Sequence, residues 1–408
     1  MKGIKQFAVG IASLFLFVPP IAHTTGLRNT TLALLFIGAV WLWWRGRRPT
    51  LPMPLVFAII AWVGMATATL TWTIDFGYSQ GELRNEVLYP LAAFFSFAVL
   101  TQADTNWRYW RRVLTAGAFT IALYAFVNLR QHPDWYDPEA YIGDTNAYST
   151  YAVLIAPVLL SAVIDRATSL PWRWFAAVAL FGTLGAGIFT ENRIMWLAIF
   201  VSFCVLAVMR LKEWFATPHM RALVLSAGVV IIATGWAQIV LTTAGKIPDA
   251  PEAVEAALPA QLATDPRLKI WDYAVGRATE RPMSGFGYGR GILRKDFRAH
   301  FDENLLIWHG HSLLLNTVLG GGIPLVVALG AVFVALGYAF WRGARGGPEI
   351  GREVCTVALA VLAGAVTKTL TDDILVRENS LLLWSIAGMA LGLAASGRQP
   401  GVSRAGCD

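Results

Sequence analysis

The chain has 408 residues, of which 56% are hydrophobic and only 14% charged. Soluble globular proteins carry roughly 25% charged residues, so these charges are too few to clothe a water-facing surface, and the same apolar excess excludes an intrinsically disordered chain. Three cysteines with no C-x-x-C spacing exclude a disulfide scaffold and a thiol or zinc centre, and the net charge of +7 is distributed in a way that speaks for membrane topology rather than for a nucleic-acid partner.

Twelve stretches are apolar over about the length a helix needs to cross a hydrocarbon layer of roughly 30 Å. They run 6–22, 28–44, 53–71, 87–101, 113–128, 148–165, 174–190, 194–210, 222–242, 322–341, 354–370 and 380–396. The first leads through Pro19-Pro20 directly into the second, with no A-x-A cleavage site, and is expected to stay as a span. The expected fold is an all-α polytopic membrane protein of about twelve transmembrane helices, with 1–408 forming a single integral membrane domain.

Basic residues concentrate in alternate connectors. Lys2 and Lys5, then Arg45, Arg47 and Arg48, then Arg108, Arg111 and Arg112, then Arg166 and Arg173, then Arg210, Lys212 and Arg221, then Arg342, Arg345 and Arg352, and finally Arg398 and Arg404 make up one set. The opposite short connectors hold little beyond Arg28, Arg84, Arg130, Arg193 and Arg377. The positive-inside rule places the first set, and with it both termini, in the cytoplasm. Trp41, Trp43, Trp44, Trp107, Trp110 and Trp172 flank those basic connectors as an interfacial aromatic belt. One connector is long. Residues 244–321, between the ninth and tenth spans, lie on the outer side and are partly helical: 265–281 puts Leu268, Trp271, Ala274, Val275 and Ala278 on one face, and Pro282 stops it. Long connectors of this kind are usually functional.

The residues able to carry chemistry fall on that outer side. Arg193, in FTENRIMW, is either a snorkelling helix end or a guanidinium that grips an anion. Gly285, Gly287, Gly289 and Gly291 alternate through the run after Pro282. They read either as a flexible turn or as a backbone that lets a sugar or phosphate approach Arg267 and Arg290. His300, His309 and His311 fall within a dozen residues, yet a metal site needs further ligands at workable spacing. The alternatives are a structural histidine or a general base. His311 directly precedes Ser312 and the apolar run opening the next span, which fixes it, whereas Gly310 leaves His309 looser. Carboxylates are sparse: there is no D-x-D, the first outer loop (23–30) has none, and Glu82, Glu86, Asp134, Asp137 and Glu191 are scattered. Lys368 is nearly the only ionisable residue inside a span, which argues against a transporter.

An arginine at the outer turn after the seventh span, a helix beginning R-x-x-x-W at Arg267, the run R-P-x-x-G-x-G from Arg281, and His311-Ser312 with Leu315 followed by Gly320, Gly321 and Gly322 together resemble the O-antigen ligase and polymerase superfamily of bacterial membrane glycosyltransferases. The departures are Glu191-Asn192-Arg193-Ile194 where many relatives have S-R-G, Ser312 where asparagine is common, and Gly320 in place of a frequent acidic residue. The resemblance implies glycan transfer at the periplasmic face of the inner membrane, with 244–321 as a periplasmic loop. The donor is a glycan on undecaprenyl diphosphate. A ligase passes it to lipid A-core oligosaccharide, and a polymerase passes it to another repeat unit. The chemistry expected is metal-independent, cofactor-free, inverting displacement. His311 is the expected catalytic base, and Arg193 and Arg267 the donor diphosphate ligands. Arg84, Arg290 and His309 are secondary contacts to donor or acceptor. The expected partners are the lipid-linked donor, the lipid A-core acceptor and membrane lipid, without nucleic acid. The alternative from another class is a lipid-linked sugar transporter.

Overall fold

The computed structural model describes residues 2–18, 21, 24–103, 106–131, 145–190, 192–210, 266–301 and 307–396. The ninth predicted span, 222–242, and the proposed amphipathic segment 244–264 lie outside them. All regular structure among the described residues is helical. The helices are α1 Lys2–Phe17, α2 Thr25–Trp44, α3 Met53–Ala68, α4 Phe76–Leu83, α5 Tyr89–Ala103, α6 Trp107–Gln131, α7 Thr145–Ile164, α8 Leu170–Ile188, α9 Arg193–Met209, α10 Pro266–Glu280, α11 Arg294–His300, α12 Leu313–Gly346, α13 Glu349–Lys368 and α14 Arg377–Ser396. Every predicted span except 222–242 falls on one of them. Among the described residues seven helical stretches are long and apolar enough to cross a membrane, and Gln6–Phe17 and Arg193–Met209 are shorter apolar helices; α6 and α8, over the predicted spans 113–128 and 174–190, are not among them.

One span boundary differs from the hydropathy reading. The span predicted over 87–101 begins at Phe76: α4 runs through a π turn, Arg84–Leu88, into α5 to give one span, Phe76–Gln102. Asp75 starts it, its carboxylate accepting the Tyr78 N–H at 3.0 Å as an N-cap. Hydropathy misses this stretch because Glu82 and Glu86 dilute it. Glu86 is therefore buried inside a span, and Lys368 is not the near-solitary intramembrane ionisable group expected. The span predicted over 322–341 starts at a break: non-helical backbone at Gly321 and Gly322 divides α12, and a short helical stretch from Leu313 precedes the predicted span.

Small residues let helices approach closely, as is common where lipid supplies no hydrophobic drive to pack. α14 lies against α5, where a Cβ on Gly388 would sit 2.2 Å from the Phe94 carbonyl oxygen. Trp384 on α14 stacks on Trp62 of α3 with ring centroids 5.5 Å apart.

Charges sort to opposite ends of the bundle. At one end Arg111, expected as a loop charge, is buried and pairs with Asp165 and Glu353 and donates to Thr168 at 2.6 Å. It clasps the start of α6, the α7–α8 turn and the start of α13. Arg28 pairs with Glu378 at the start of α14. Asp373, five residues before Glu378 in the connector that leads into α14, belongs to the site described next.

Candidate active site

The site is built around residues 369–376, the connector between α13 and α14. Lys368, the last residue of α13, is fully buried, and its ammonium donates to Asp372 Oδ2 at 2.6 Å, Ser149 Oγ at 3.0 Å and Asn146 Oδ1 at 3.4 Å. A buried charge persists only when paired and hydrogen-bonded. Burial acts to raise the Asp372 carboxyl pKa, but the Lys368 charge and the bonds from Lys368, the Asp373 N–H and Asn146 hold it below the usual carboxylate value. The Asn192 amide joins the same cluster, donating to Ser149 Oγ at 3.0 Å and to Asp372 Oδ2 at 3.4 Å. Asn192 is the N-cap position of α9, and its side chain is turned into this cluster instead of capping the helix. Arg193 is the next residue, at the exposed head of α9.

Asp373 bonds into a second set of partners. Its Oδ2 accepts from Asn316 Nδ2 at 3.0 Å and its Oδ1 from the Leu375 N–H at 3.1 Å. Burial raises its pKa, against the nearby Arg290 charge. The Asn316 carbonyl in turn accepts the Gly310 N–H at 2.9 Å. This ties the connector to the Trp308–Ser312 turn that opens α12. In that turn His309 is 5% exposed and its Nδ1 accepts the His311 N–H at 2.9 Å. His309 is thus anchored by burial and by this bond, contrary to the looseness expected from Gly310. Burial, with smaller contributions from His311 and Arg290, pushes its pKa well below the ordinary histidine value. With Nδ1 accepting, the neutral ring carries its proton on Nε2.

His311 is half-exposed and has φ +46°, the single left-handed non-glycine residue among those described. Such a conformation costs of order 1–3 kcal/mol and holds where the surroundings impose it. The two imidazole centroids are 4.1 Å apart. His300 is elsewhere, stacked on Tyr273 at 4.1 Å, so the three histidines do not converge. No group of three His, Cys, Asp or Glu side chains is placed to hold a metal among the described residues.

Arg290, expected as a secondary contact, lies inside the site. Its guanidinium covers the Trp308 ring at 4.8 Å. With Glu86, Asn316 and Asp373 it lines a cavity of about 20 Å³, room for roughly one water. Arg84 is exposed on the π turn; Glu86, two residues on, is the side chain that lines the cavity. Arg267 is half-buried at the start of α10. Two turns further along the same face, about 10 Å, Ala274 packs beside Gly310.

The glycine run is neither a flexible turn nor an open cradle. Phe286 and Gly287 donate to the carbonyls of Leu319 and Gly320 at 2.7 and 2.9 Å. On the other side the Ile74 N–H donates to the Phe286 carbonyl at 2.9 Å and Trp72 Nε1 to the Ser284 carbonyl at 2.7 Å. A Cβ on Gly287 would collide with Thr73 Oγ1 at 1.9 Å. The close approach these glycines permit is to the protein's own backbone. The run is a wedge between the head of α4 and the break in α12, and it carries Arg290 into the site.

Sequence reasoning missed Asn146, Ser149, Asn192, Asn316, Asp372, Asp373 and the placement of Glu86. The available signal was their position: polar residues at the ends of apolar spans, where a lone amide or carboxylate needs a partner.

These features define a multi-pass α-helical membrane protein with a polar site of histidines, arginines and paired carboxylates at one end of its helices. Residues 176–330 match the family model described as O-Antigen ligase. The stretch includes Arg193, Arg267, Arg290, His309 and His311; the Lys368–Asp373 connector lies beyond it. No curated protein matches the chain.

Proposed function

We propose that the protein is an O-antigen ligase, a glycosyltransferase that moves a glycan from undecaprenyl diphosphate to lipid A-core oligosaccharide. The observation that carries this reading is the family match over 176–330, within which the histidine turn and three of the arginines fall. The acceptor hydroxyl oxygen attacks the anomeric carbon from the face opposite the diphosphate. The C–O bond to the diphosphate breaks with its electron pair, and the acceptor proton passes to His311. Negative charge develops on the leaving group, and guanidinium groups stabilise it through bidentate, charge-assisted bonds. Arg193 and Arg267 are assigned to the diphosphate, with Arg290 close to the reacting centre. The absence of a D-x-D motif and the acid-free first outer loop support a metal-independent, inverting reaction.

The assay is purified protein with lipid-linked glycan and lipid A-core, in excess EDTA. Joined product is expected. Product that lengthens the donor glycan would make the protein a polymerase, and activity restored only by magnesium or manganese would refute metal independence. In the same assay Arg193→Ala and Arg267→Ala are expected to weaken donor use by roughly tenfold to a hundredfold, the scale of one lost charge-assisted hydrogen bond. Lysine, which lacks the planar fork, should rescue poorly. Full activity of both alanine variants would remove them from the site.

The charge distribution supports an inner-membrane orientation with both termini cytoplasmic and 244–321 periplasmic. In a cysteine-free background, a cysteine at the exposed Ala299 of α11 should react with an impermeant thiol reagent in intact spheroplasts. Labelling only after lysis would reverse the orientation.

A further inference from the structure

The connector between α13 and α14 presents two adjacent buried carboxylates to two different parts of the site. Asp372 is bound to Lys368, Asn146 and Asn192, and so to the residue from which α9 and Arg193 start. Asp373 is bound to Asn316, whose carbonyl holds the Gly310 N–H beside both histidines. The Asp373 N–H donates to Asp372 Oδ1 at 2.8 Å, so each carboxylate is referenced to the other. The connector also accepts the first N–H of α12, Leu313 N to the Asp372 carbonyl at 3.0 Å. A buried hydrogen-bonded network of this kind fixes a unique geometry at a cost no apolar packing would incur; within it the Asn192 Oδ1 is left without a partner.

We propose that Asp372 and Asp373 are positioning residues that hold the arginine half and the histidine half of the site in register, Asp372 through Asn192 setting Arg193 and Asp373 through Asn316 setting the His309–His311 turn. The proposal rests on the transferase reading for its consequence but not for its geometry. Transfer by in-line displacement needs the diphosphate and the base on opposite faces of one carbon, so an error in either half is costly. The arrangement assigns a different kinetic consequence to each carboxylate. Loosening Arg193 weakens the grip on the donor. Loosening the histidine turn leaves the donor bound and slows its reaction.

The test uses the full-length protein in detergent and two readouts. Hydrogen–deuterium exchange of peptides covering 190–196 and 308–313 reads the geometry without any reaction. Asn316→Ala and Asp373→Ala are expected to speed exchange in 308–313 about tenfold, the scale of one lost buried hydrogen bond, with little change in 190–196. Asp372→Ala should do the reverse. Asn316→Asp, which keeps the acceptor for Gly310 N but loses the donor to Asp373, should fall between Asn316→Ala and the parent.

Kinetics then give the second readout: Asp372→Ala raises KM for the donor about tenfold with kcat less affected, and Asn316→Ala lowers kcat about tenfold with KM kept. Both peptides responding alike to both sets of variants, or to neither, overturns the proposal, as does an identical loss of kcat and KM in the two variants. The expected exchange pattern in a protein that makes no glycan product would sink the transferase reading and leave the connector's role standing.

Discussion

His311→Ala is expected to lose at least about a hundredfold in transfer, the usual scale for removing a general base, while binding of the lipid-linked donor persists because the arginines are untouched. The structure adds an ordering that the sequence did not contain. His309 is buried and its Nδ1 accepts the His311 N–H, so it restrains the backbone that holds His311 at φ +46°. With its pKa held well below the ordinary value by burial, His309 stays neutral through the physiological range and keeps that acceptor. His309→Ala removes the bond, whose net worth is about 0.5–1.5 kcal/mol, and an intermediate loss of up to about tenfold is expected. His309→Asn offers a carbonyl oxygen close to where Nδ1 stood and should recover part of it. Product formed at matched membrane levels should therefore fall in the order parent, His309→Asn, His309→Ala, His311→Ala. An inactive His309→Ala beside an active His311→Ala would transfer the role of base to His309.

The helical, span-forming character of the chain was legible because membrane spans are long apolar runs, a signal carried by many residues at once. The misplaced boundary has a clear cause. The head of α4 carries Glu82 and Glu86, so it reads as a connector. The 282–291 run packs against it, with Tyr78 Oη accepting the Gly291 N–H at 2.8 Å. That contact is tertiary and leaves no local pattern. The site divides the same way. Arg193, Arg267 and His311 stand out through motif and position. Lys368, Asn146 and Asp372 do not, because Lys368 meets Asn146 across 222 residues of sequence, and a lysine at the end of an apolar run looks like a helix terminus until its partners are seen. The glycine run misled in an instructive way: the spacing correctly announced a close backbone approach, but what approaches is α12 and the Thr73 segment.

That wedge yields the largest expected effect on folding. Gly322 has φ +70° and ψ −173°, a region essentially restricted to glycine and costing about 1–3 kcal/mol for any other residue. A Cβ there would also fall 2.5 Å from the Met283 carbonyl carbon and 2.7 Å from the Pro282 carbonyl oxygen. Both are backbone atoms, pinned by the Ile323 N–H to Pro282 carbonyl bond at 2.8 Å, so no side-chain rotation relieves the clash. Relief requires the loop to lift off α12, and with it Arg290 leaves the site. Gly322→Ala is therefore expected to lose about 3 kcal/mol or more, strain and overpacking together, and to lose transfer even in whatever folded fraction remains. Gly330→Ala is the matched control: it lies in the same helix with nothing within 4 Å of a new Cβ, and alanine there improves helix propensity by up to roughly 1 kcal/mol. Thermal unfolding of the detergent-solubilised proteins, followed by size-exclusion chromatography, should show Gly322→Ala depleted or shifted to lower temperature and Gly330→Ala at or above the parent. Equal stability of the two variants would mean that the 282–291 run does not bear on α12 as the hydrogen bonds indicate, and that Arg290 is held in the site by something other than this wedge.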